Sequence, residues 1–112
     1  MIAIGDACDF GAIKAAEEKG AYVIGWVGDF NSLSPMVVIC SGVQSVPMLI
    51  TSQGEAVNAG TWKAEHKEFG VKDGYQFMGT WSPVVSEELK KEILADQEKI
   101  IKGELVINFP AE

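Results

Sequence analysis

Short apolar blocks alternate with charged and glycine-containing segments along the first forty residues. Residues 2–4, 21–24 and 36–40 are predicted strands, and the last two are continuously apolar, as is typical of strands covered on both faces. Between the first two strands, Asp9 is a candidate N-cap and Gly20 a candidate stop for a helix with apolar residues at helical spacing. The pattern therefore predicts strand, helix and strand, the arrangement of an α/β protein with a parallel sheet.

The middle of the chain predicts a second helix and two short extended segments. The helix is expected to begin after Ser45, a candidate cap, and to stop near Gly60. Lys72–Gly74 is a predicted turn between extended segments 67–71 and 75–78.

A third helix is the clearest element of the carboxyl-terminal part. It is expected to begin at Ser82-Pro83 or at Ser86 and to end at Gly103, with apolar residues along one face. Residues 104–109 alternate in polarity and are a predicted short strand. Since no linker or repeat interrupts the chain, residues 1–112 are expected to form one α/β domain.

Charge and hydropathy exclude several function classes. Sixteen acidic and nine basic residues give a formal net charge of −7, which is the wrong sign for binding a phosphate backbone, so nucleic acid is not an expected partner. The apolar blocks are shorter than the roughly 18 residues that a spanning helix needs. We therefore expect neither a membrane span nor a signal peptide in this chain.

The residues that usually carry enzymatic or metal chemistry are sparse. Cys8 and Cys40 lie near predicted strand ends, and the favoured interpretation is two buried thiols, with a disulfide as the alternative. His66 is the one histidine and lies in a charged segment without an evident partner. Walker A, dinucleotide and Gly-x-Ser-x-Gly motifs are absent. No metal, no cofactor and no enzymatic activity are expected.

Carboxylates follow the ends of the first two predicted strands, where parallel sheets usually hold small-molecule sites. Asp29 suits a contact with ligand hydroxyl or amine groups, because a carboxylate accepts two hydrogen bonds from a vicinal diol. The alternative is that Asp29 only starts a turn with Asn31. Asp9 can be an N-cap, a ligand contact or both.

Aromatic rings lie beside these acids in the sequence. Phe10, Trp26 and Phe30 could provide rings on which a flat heterocycle stacks. The alternative for each ring is a lid over the core. Trp62 and Trp81 fall outside this strand-end cluster.

Four segments occur in an order and spacing that resemble a known family. They are residues 15–25, residues 58–63, the glycine-containing turn 71–74 and the helix end 100–104. Together they resemble the carboxyl-terminal part of the BMP (basic membrane protein) family of ABC-transporter solute-binding proteins. The resemblance spans essentially the whole chain.

The resemblance implies a type I periplasmic-binding-protein fold, in which two α/β lobes close on a ligand. The chain would then be a partial doubly wound, Rossmann-like parallel sheet from one lobe, and its ligand would be a purine nucleoside or nucleobase. Asp9 and Phe10 would face the ligand, and Asp29 would lie in the loop that carries a ribose-contacting acid.

The chain departs from the family pattern at positions that bear on the ligand. Val27 occupies the first of two positions that are acidic in many members, and the lysine of nucleoside-binding members is absent at Gln44 and Ser45. Recognition of a ribose and recognition of a nucleobase alone therefore both stay open.

The resemblance also bears on partners and location. Family members are considerably longer, so the chain is interpreted as a fragment or a reduced relative, and the helix after Ser45 would normally pack in the other lobe. In this chain that surface is then exposed, repacked or covered by another copy, and a homodimer or a domain swap is one hypothesis. A membrane permease is an expected partner only within a full-length receptor, and the implied location is extracytoplasmic.

Three function hypotheses follow. The first is binding of a small-molecule ligand without catalysis. The second is a self-associating α/β module with a degenerate ligand site and no transport role, and the third is a small α/β enzyme with Asp6 or Asp9 as base or phosphate acceptor. The candidate ligand-binding residues are Asp9, Phe10, Trp26, Asp29 and Phe30.

Overall fold

Three helices and three strands form the part of the chain that the computed structural model describes, residues 1–107. The elements are α1 (Cys8–Glu18), β1 (Val23–Val27), β2 (Val38–Gln44), α2 (Val46–Asn58), β3 (Gln76–Met78) and α3 (Glu87–Lys102), with 3₁₀ turns at Asn31–Leu33 and Val71–Asp73.

The sheet has β2 at its centre and β1 and β3 on either side. β1 runs parallel to β2, with Val23 opposite Val38. β3 runs antiparallel to β2, with Gly42 opposite Met78. An antiparallel edge strand on a parallel sheet is common in α/β proteins. The predicted α/β class is confirmed, and the sheet is mixed because the chain returns from α2 along the free edge of β2.

The predicted strand 2–4 is present as a single parallel bridge between Ile2 and Ile24. The Ala3 N–H donates to the Ile24 carbonyl at 2.9 Å. Beyond this bridge the backbone turns at Asp6, whose φ of 50° lies in the left-handed region that aspartate tolerates. The segment therefore lies beside β1 as expected but is too short to be a full strand.

Helix α1 begins two residues earlier than the sequence suggested. Its N-cap is Ala7, so the prediction that Asp9 is the N-cap is wrong. Asp9 lies inside the first turn, where a carboxylate interacts favourably with the exposed N–H groups of the helix. The predicted stop at Gly20 is confirmed by its φ of 63°.

The ends of α3 follow their sequence signals. The Ser86 side chain accepts a hydrogen bond from the Leu89 N–H at 3.2 Å, which selects Ser86 over Ser82-Pro83 as the start. Gly103 ends the helix with a φ of 74°. Ser45 precedes α2 as expected, although its side chain makes no capping hydrogen bond.

Two predicted strands of the second half are not formed as expected. Segment 67–71 is not a strand, because the Asp73 carboxylate accepts the Gly70 N–H at 3.0 Å and tightens the backbone into a 3₁₀ turn. Residues 104–107 form no strand, and the rest of the predicted strand 104–109 lies outside the described residues. Segment 75–78 is confirmed as β3, shortened by one residue.

The hydrophobic core is small and lies between α1 and the sheet. Phe30 packs against it from the carboxyl end of β1. The buried residues of this core are Ala3, Ile13, Ala16, Val23, Val37 and Val38.

Helices α2 and α3 contain no fully buried residue among those described. Val46, Ile50 and Val57 of α2 are exposed. The radius of gyration is 16.7 Å, and the molecule extends over 51 × 33 × 31 Å. A compact chain of about 100 residues has a radius of gyration near 13 Å. The shape is therefore elongated, and one side of α2 projects apolar residues into solvent.

The two thiols have different surroundings. Both cysteines are free, with Cys8 exposed and Cys40 buried, so the prediction of two buried thiols is wrong for Cys8. Burial raises the pKa of the Cys40 thiol, which keeps it protonated at neutral pH. Within residues 1–107, no helix combines the length and apolar character needed to cross a membrane.

Candidate functional site

A cavity of about 340 Å³ lies at the carboxyl end of β1, where the turn into α1 faces the loop that leaves β1. Its volume falls within the range of about 300–1,000 Å³ that is usual for small-molecule sites. Four of the five predicted ligand-binding residues contribute to its lining, and Asp29 does not. The lining residues are Ile4, Gly5, Asp6, Asp9, Phe10, Trp26, Val27, Gly28 and Phe30.

Aromatic rings form two sides of the cavity. Phe10 and Phe30 pack edge to face, with ring centroids 6.1 Å apart and an interplanar angle of 75°. Phe10 is nevertheless 55% exposed, and Trp26 is 37% exposed. Gly42 on β2 makes room for the indole of Trp26, since an alanine Cβ there would lie 3.0 Å from its ring atoms. Ring surface is therefore free for a planar ligand.

Asp9 is the buried acid of this cavity. Its side chain is only 4% exposed, yet it contributes to the cavity lining. Gly5 allows the turn to approach it, because a Cβ at that position would lie 3.2 Å from Asp9 Oδ1. Asp6 is the second lining acid and is exposed. These two lining carboxylates can accept hydrogen bonds from ligand amine or hydroxyl groups.

Asp29 points its carboxylate away from the cavity lining and toward the segment between β3 and α3. Oδ2 accepts the Thr80 hydroxyl at 2.6 Å and the Thr80 N–H at 2.9 Å, and Oδ1 accepts the Asn31 N–H at 3.3 Å. Partial burial acts to raise the pKa of Asp29, but these three hydrogen bonds outweigh it and hold the pKa below its ordinary value. The Asp29 carboxylate is thus charged at neutral pH, and both of its oxygens already accept hydrogen bonds from the protein.

Two residues of this region were missed by the sequence analysis. Ser41 is fully buried on β2, and its Oγ accepts the Phe30 N–H at 3.2 Å. Thr80 lies 51 positions from its partner Asp29. A lone serine next to an apolar strand and a lone threonine in a loop give no periodic signal, so neither could have been found from the pattern.

Backbone strain is concentrated at Val27, in the cavity wall. Its φ is 69°, a left-handed conformation that a β-branched side chain rarely adopts. Such a conformation costs on the order of 1–3 kcal/mol and persists only where the surroundings fix it. The turn at Val27 directs the following residues back over β2, where they form the side of the cavity.

Replacing Val27 by glycine is expected to raise the free energy of unfolding by about 1 kcal/mol, because glycine adopts this φ without strain. Urea denaturation measures the change. Val43, which lies opposite Val27 on β2, provides the matched control, and its replacement by glycine should lower the stability. Equal losses from both replacements would show that Val27 is not strained in solution.

No group of three or more His, Cys, Asp or Glu side chains in residues 1–107 is arranged to hold a metal ion. His66 is highly exposed and lies 3.6 Å from Glu68, outside the cavity lining.

A comparison with known proteins places this arrangement in a family. Residues 1–109 match the model of the family described as "ABC transporter substrate-binding protein PnrA-like" (Bmp). The chain belongs to the Bmp family. The resemblance found in the sequence is therefore confirmed, over nearly the whole chain.

Two curated relatives of this Bmp chain have different names. One is the transcriptional activator protein med of Bacillus subtilis, 30% identical over 89 residues. The other is the putative ABC transporter glucose-binding protein TsgA13 of Haloferax volcanii, 24% identical over 94 residues. The matches cover 80% and 84% of this chain but only 28% and 24% of the relatives.

Two solved structures share the fold. A transcriptional activator of the comK gene from Bacillus halodurans matches with a TM-score of 0.87 and 24% identity over 98% of this chain. An ABC transporter solute-binding protein from Aeropyrum pernix K1 matches with a TM-score of 0.71 and 18% identity over 92% of this chain. The Bmp chain spans 38% and 37% of these structures, and the solute-binding protein has the periplasmic-binding-protein-like fold.

Proposed function

We propose that this chain provides one wall of the ligand site of an ABC-transporter solute-binding protein, and that its ligand is a purine nucleobase or nucleoside. The observation that carries the proposal is the cavity at the end of β1, with aromatic rings on two sides and a buried acid. A planar heterocycle can stack on the partly exposed rings, and its amine groups can donate to the two lining carboxylates.

The base is the part of the ligand that these residues favour. Val27, the last residue of β1, has no polar side-chain group, and in the loop after β1 the Asp29 carboxylate accepts three hydrogen bonds from the protein itself. A ribose would therefore find no free acid in this loop. Adenine and adenosine should bind with similar affinity, since the ribose of adenosine would make few additional hydrogen bonds with this loop.

Membership of the Bmp family supports a proposal for the setting of the site. The chain would work outside the cytoplasm, and the complete receptor would deliver its ligand to a membrane permease. The 30% identity to a protein named as a transcriptional activator favours a second candidate, a ligand-binding module in a regulator without a transport role. With a net charge of −7, such a module would bind its ligand rather than DNA.

The proposal is tested by titrating the protein with adenine, adenosine, hypoxanthine and guanosine while recording heteronuclear NMR spectra. We expect saturable shifts at the cavity residues, and we expect Phe10→Ala to abolish them because it removes an exposed ring from the cavity. Trp62→Ala is the matched control, since this ring is also exposed but lies outside the cavity lining.

An absence of saturable shifts at millimolar concentrations of all four compounds would overturn the proposed ligand class. Equal loss of binding in both variants would show that the ligand does not occupy the cavity at the end of β1.

A further inference from the structure

The loop that carries Phe30 into the cavity is fixed at three points. The Phe30 N–H donates to Ser41 Oγ, and Asn31 Nδ2 donates to the Val38 carbonyl at 2.9 Å. These two contacts tie the loop to β2. The third contact, between Asp29 and Thr80, reaches instead to the segment that follows β3. The loop is thus held by two separate parts of the chain.

The segment that carries Thr80 is itself held on β2. The Gly79 N–H donates to the Ser41 carbonyl at 2.8 Å, and the Ser82 N–H donates to the Ile39 carbonyl at 2.9 Å. These two hydrogen bonds lie on either side of Thr80 in the sequence and fix its position along β2. Thr80 therefore offers a fixed anchor rather than a mobile one.

The approach of Asp29 to this segment is close. An alanine Cβ at Gly79 would lie 2.9 Å from Asp29 Cγ and 3.0 Å from Val43 Cγ2. The absence of a side chain at Gly79 is what allows the carboxylate to reach Thr80. The contact thus depends on Asp29, Thr80 and Gly79. With the Asn31 N–H on Oδ1, both carboxylate oxygens of Asp29 accept hydrogen bonds.

We propose that the Asp29–Thr80 contact sets the position of the Phe30 ring and thereby the width of the ligand cavity. Asp29 is then a positioning residue and Thr80 its partner, and neither touches the ligand. The expected effect on ligand affinity rests on the proposed function. The geometric part, that the contact sets the position of the Phe30 ring, concerns the protein without ligand.

The geometric part is tested on the free protein. Thr80→Val keeps the size and the N–H of residue 80 but removes the hydroxyl, and Thr80→Ser keeps the hydroxyl. We expect the NMR contacts between the Phe10 and Phe30 rings to weaken and the ring signals to shift in Thr80→Val, and to stay as in the wild type in Thr80→Ser. Unchanged ring signals in Thr80→Val would overturn the inference.

The consequence for binding is tested with adenine as the probe. A hydrogen bond to a charged group is stronger than one between neutral groups. If part of the free energy of this bond holds the ring in place, Thr80→Val should weaken adenine binding roughly tenfold. Thr80→Ser should restore wild-type affinity. A lower melting temperature with unchanged affinity and unchanged ring contacts would reduce Thr80 to a purely structural role and contradict the proposal.

A pH titration gives a third measurement. The pKa of Asp29 lies below its ordinary value, so the stabilisation from this contact is complete above the ordinary pKa of 3.8 and is lost as the pH falls through the lower, folded value. The titratable group that faces Asp29 from β2 is the Cys40 thiol, which is protonated in this range. We expect the Phe30 ring signals to shift in acid in the wild type but not in Asp29→Asn.

The two proposals can fail separately. If the wild type binds none of the four purine compounds, the proposed function fails, while the ring contacts and their pH dependence still decide whether Asp29 and Thr80 position Phe30. If adenine binds and the Thr80→Val variant behaves as the wild type in every measurement, only the positioning role is wrong.

Discussion

Replacing Ile13 by alanine is expected to lower the free energy of unfolding by about 2–5 kcal/mol. Ile13 is 3% exposed and is the largest side chain of a core that otherwise contains alanine and valine. Few neighbouring side chains can move into the space that its removal leaves. Since domains of this size are stable by about 5–15 kcal/mol, the loss should be visible as a large shift of the urea midpoint.

Ile50→Ala is the control for this experiment. The same side chain is removed, but Ile50 is 66% exposed on α2, so the expected change is within about 0.5 kcal/mol. A loss comparable to that of Ile13→Ala would mean that α2 is covered in solution, as the hypothesis of a homodimer or domain swap requires. The comparison therefore measures core packing and self-association in one pair of variants.

Replacing Gly25 by alanine is expected to lower the free energy of unfolding by about 1–3 kcal/mol and to displace Phe30. The added Cβ would lie 2.5 Å from Ser41 Oγ and 3.0 Å from Phe30 Cδ2. Ser41 is fully buried within the central strand, and its Cβ would also lie 3.2 Å from the added atom, so Ser41 has little room to withdraw. The ring is the group that can move, so adenine binding should weaken together with stability.

Gly11→Ala provides the matched control in α1. A Cβ at Gly11 meets no atom within 4 Å, and alanine in a helix is favoured over glycine by about 0.5–1 kcal/mol. This variant should therefore be more stable than the wild type. If Gly25→Ala proved equally harmless, the close approach of β1, Ser41 and Phe30 would not exist in solution.

The sequence predicted elements well where the signal is local. The stops at Gly20 and Gly103 and the cap at Ser86 depend on a few adjacent residues, and all three are confirmed. The same locality explains the error at Asp9. An aspartate is favourable both as an N-cap and in the first turn, so the pattern cannot separate these two positions.

Features that depend on distant residues could not be predicted. The Asp29–Thr80 contact joins positions 51 apart, and nothing near Asp29 in the sequence reveals its partner. Segment 67–71 has the composition of a strand, but a turn at Asp73 forms in its place. The aromatic part of the site was found because its residues lie near the end of β1 and the start of α1, which meet at one edge of the sheet.

The elongated shape has a consequence for how self-association is measured. A 12.1 kDa chain with a radius of gyration of 16.7 Å has a larger hydrodynamic radius than a compact protein of equal mass. On a gel-filtration column the monomer should therefore elute before compact markers of its own mass, and its apparent mass should be too high. Light scattering measures mass independently of shape, so it distinguishes an elongated monomer from a dimer.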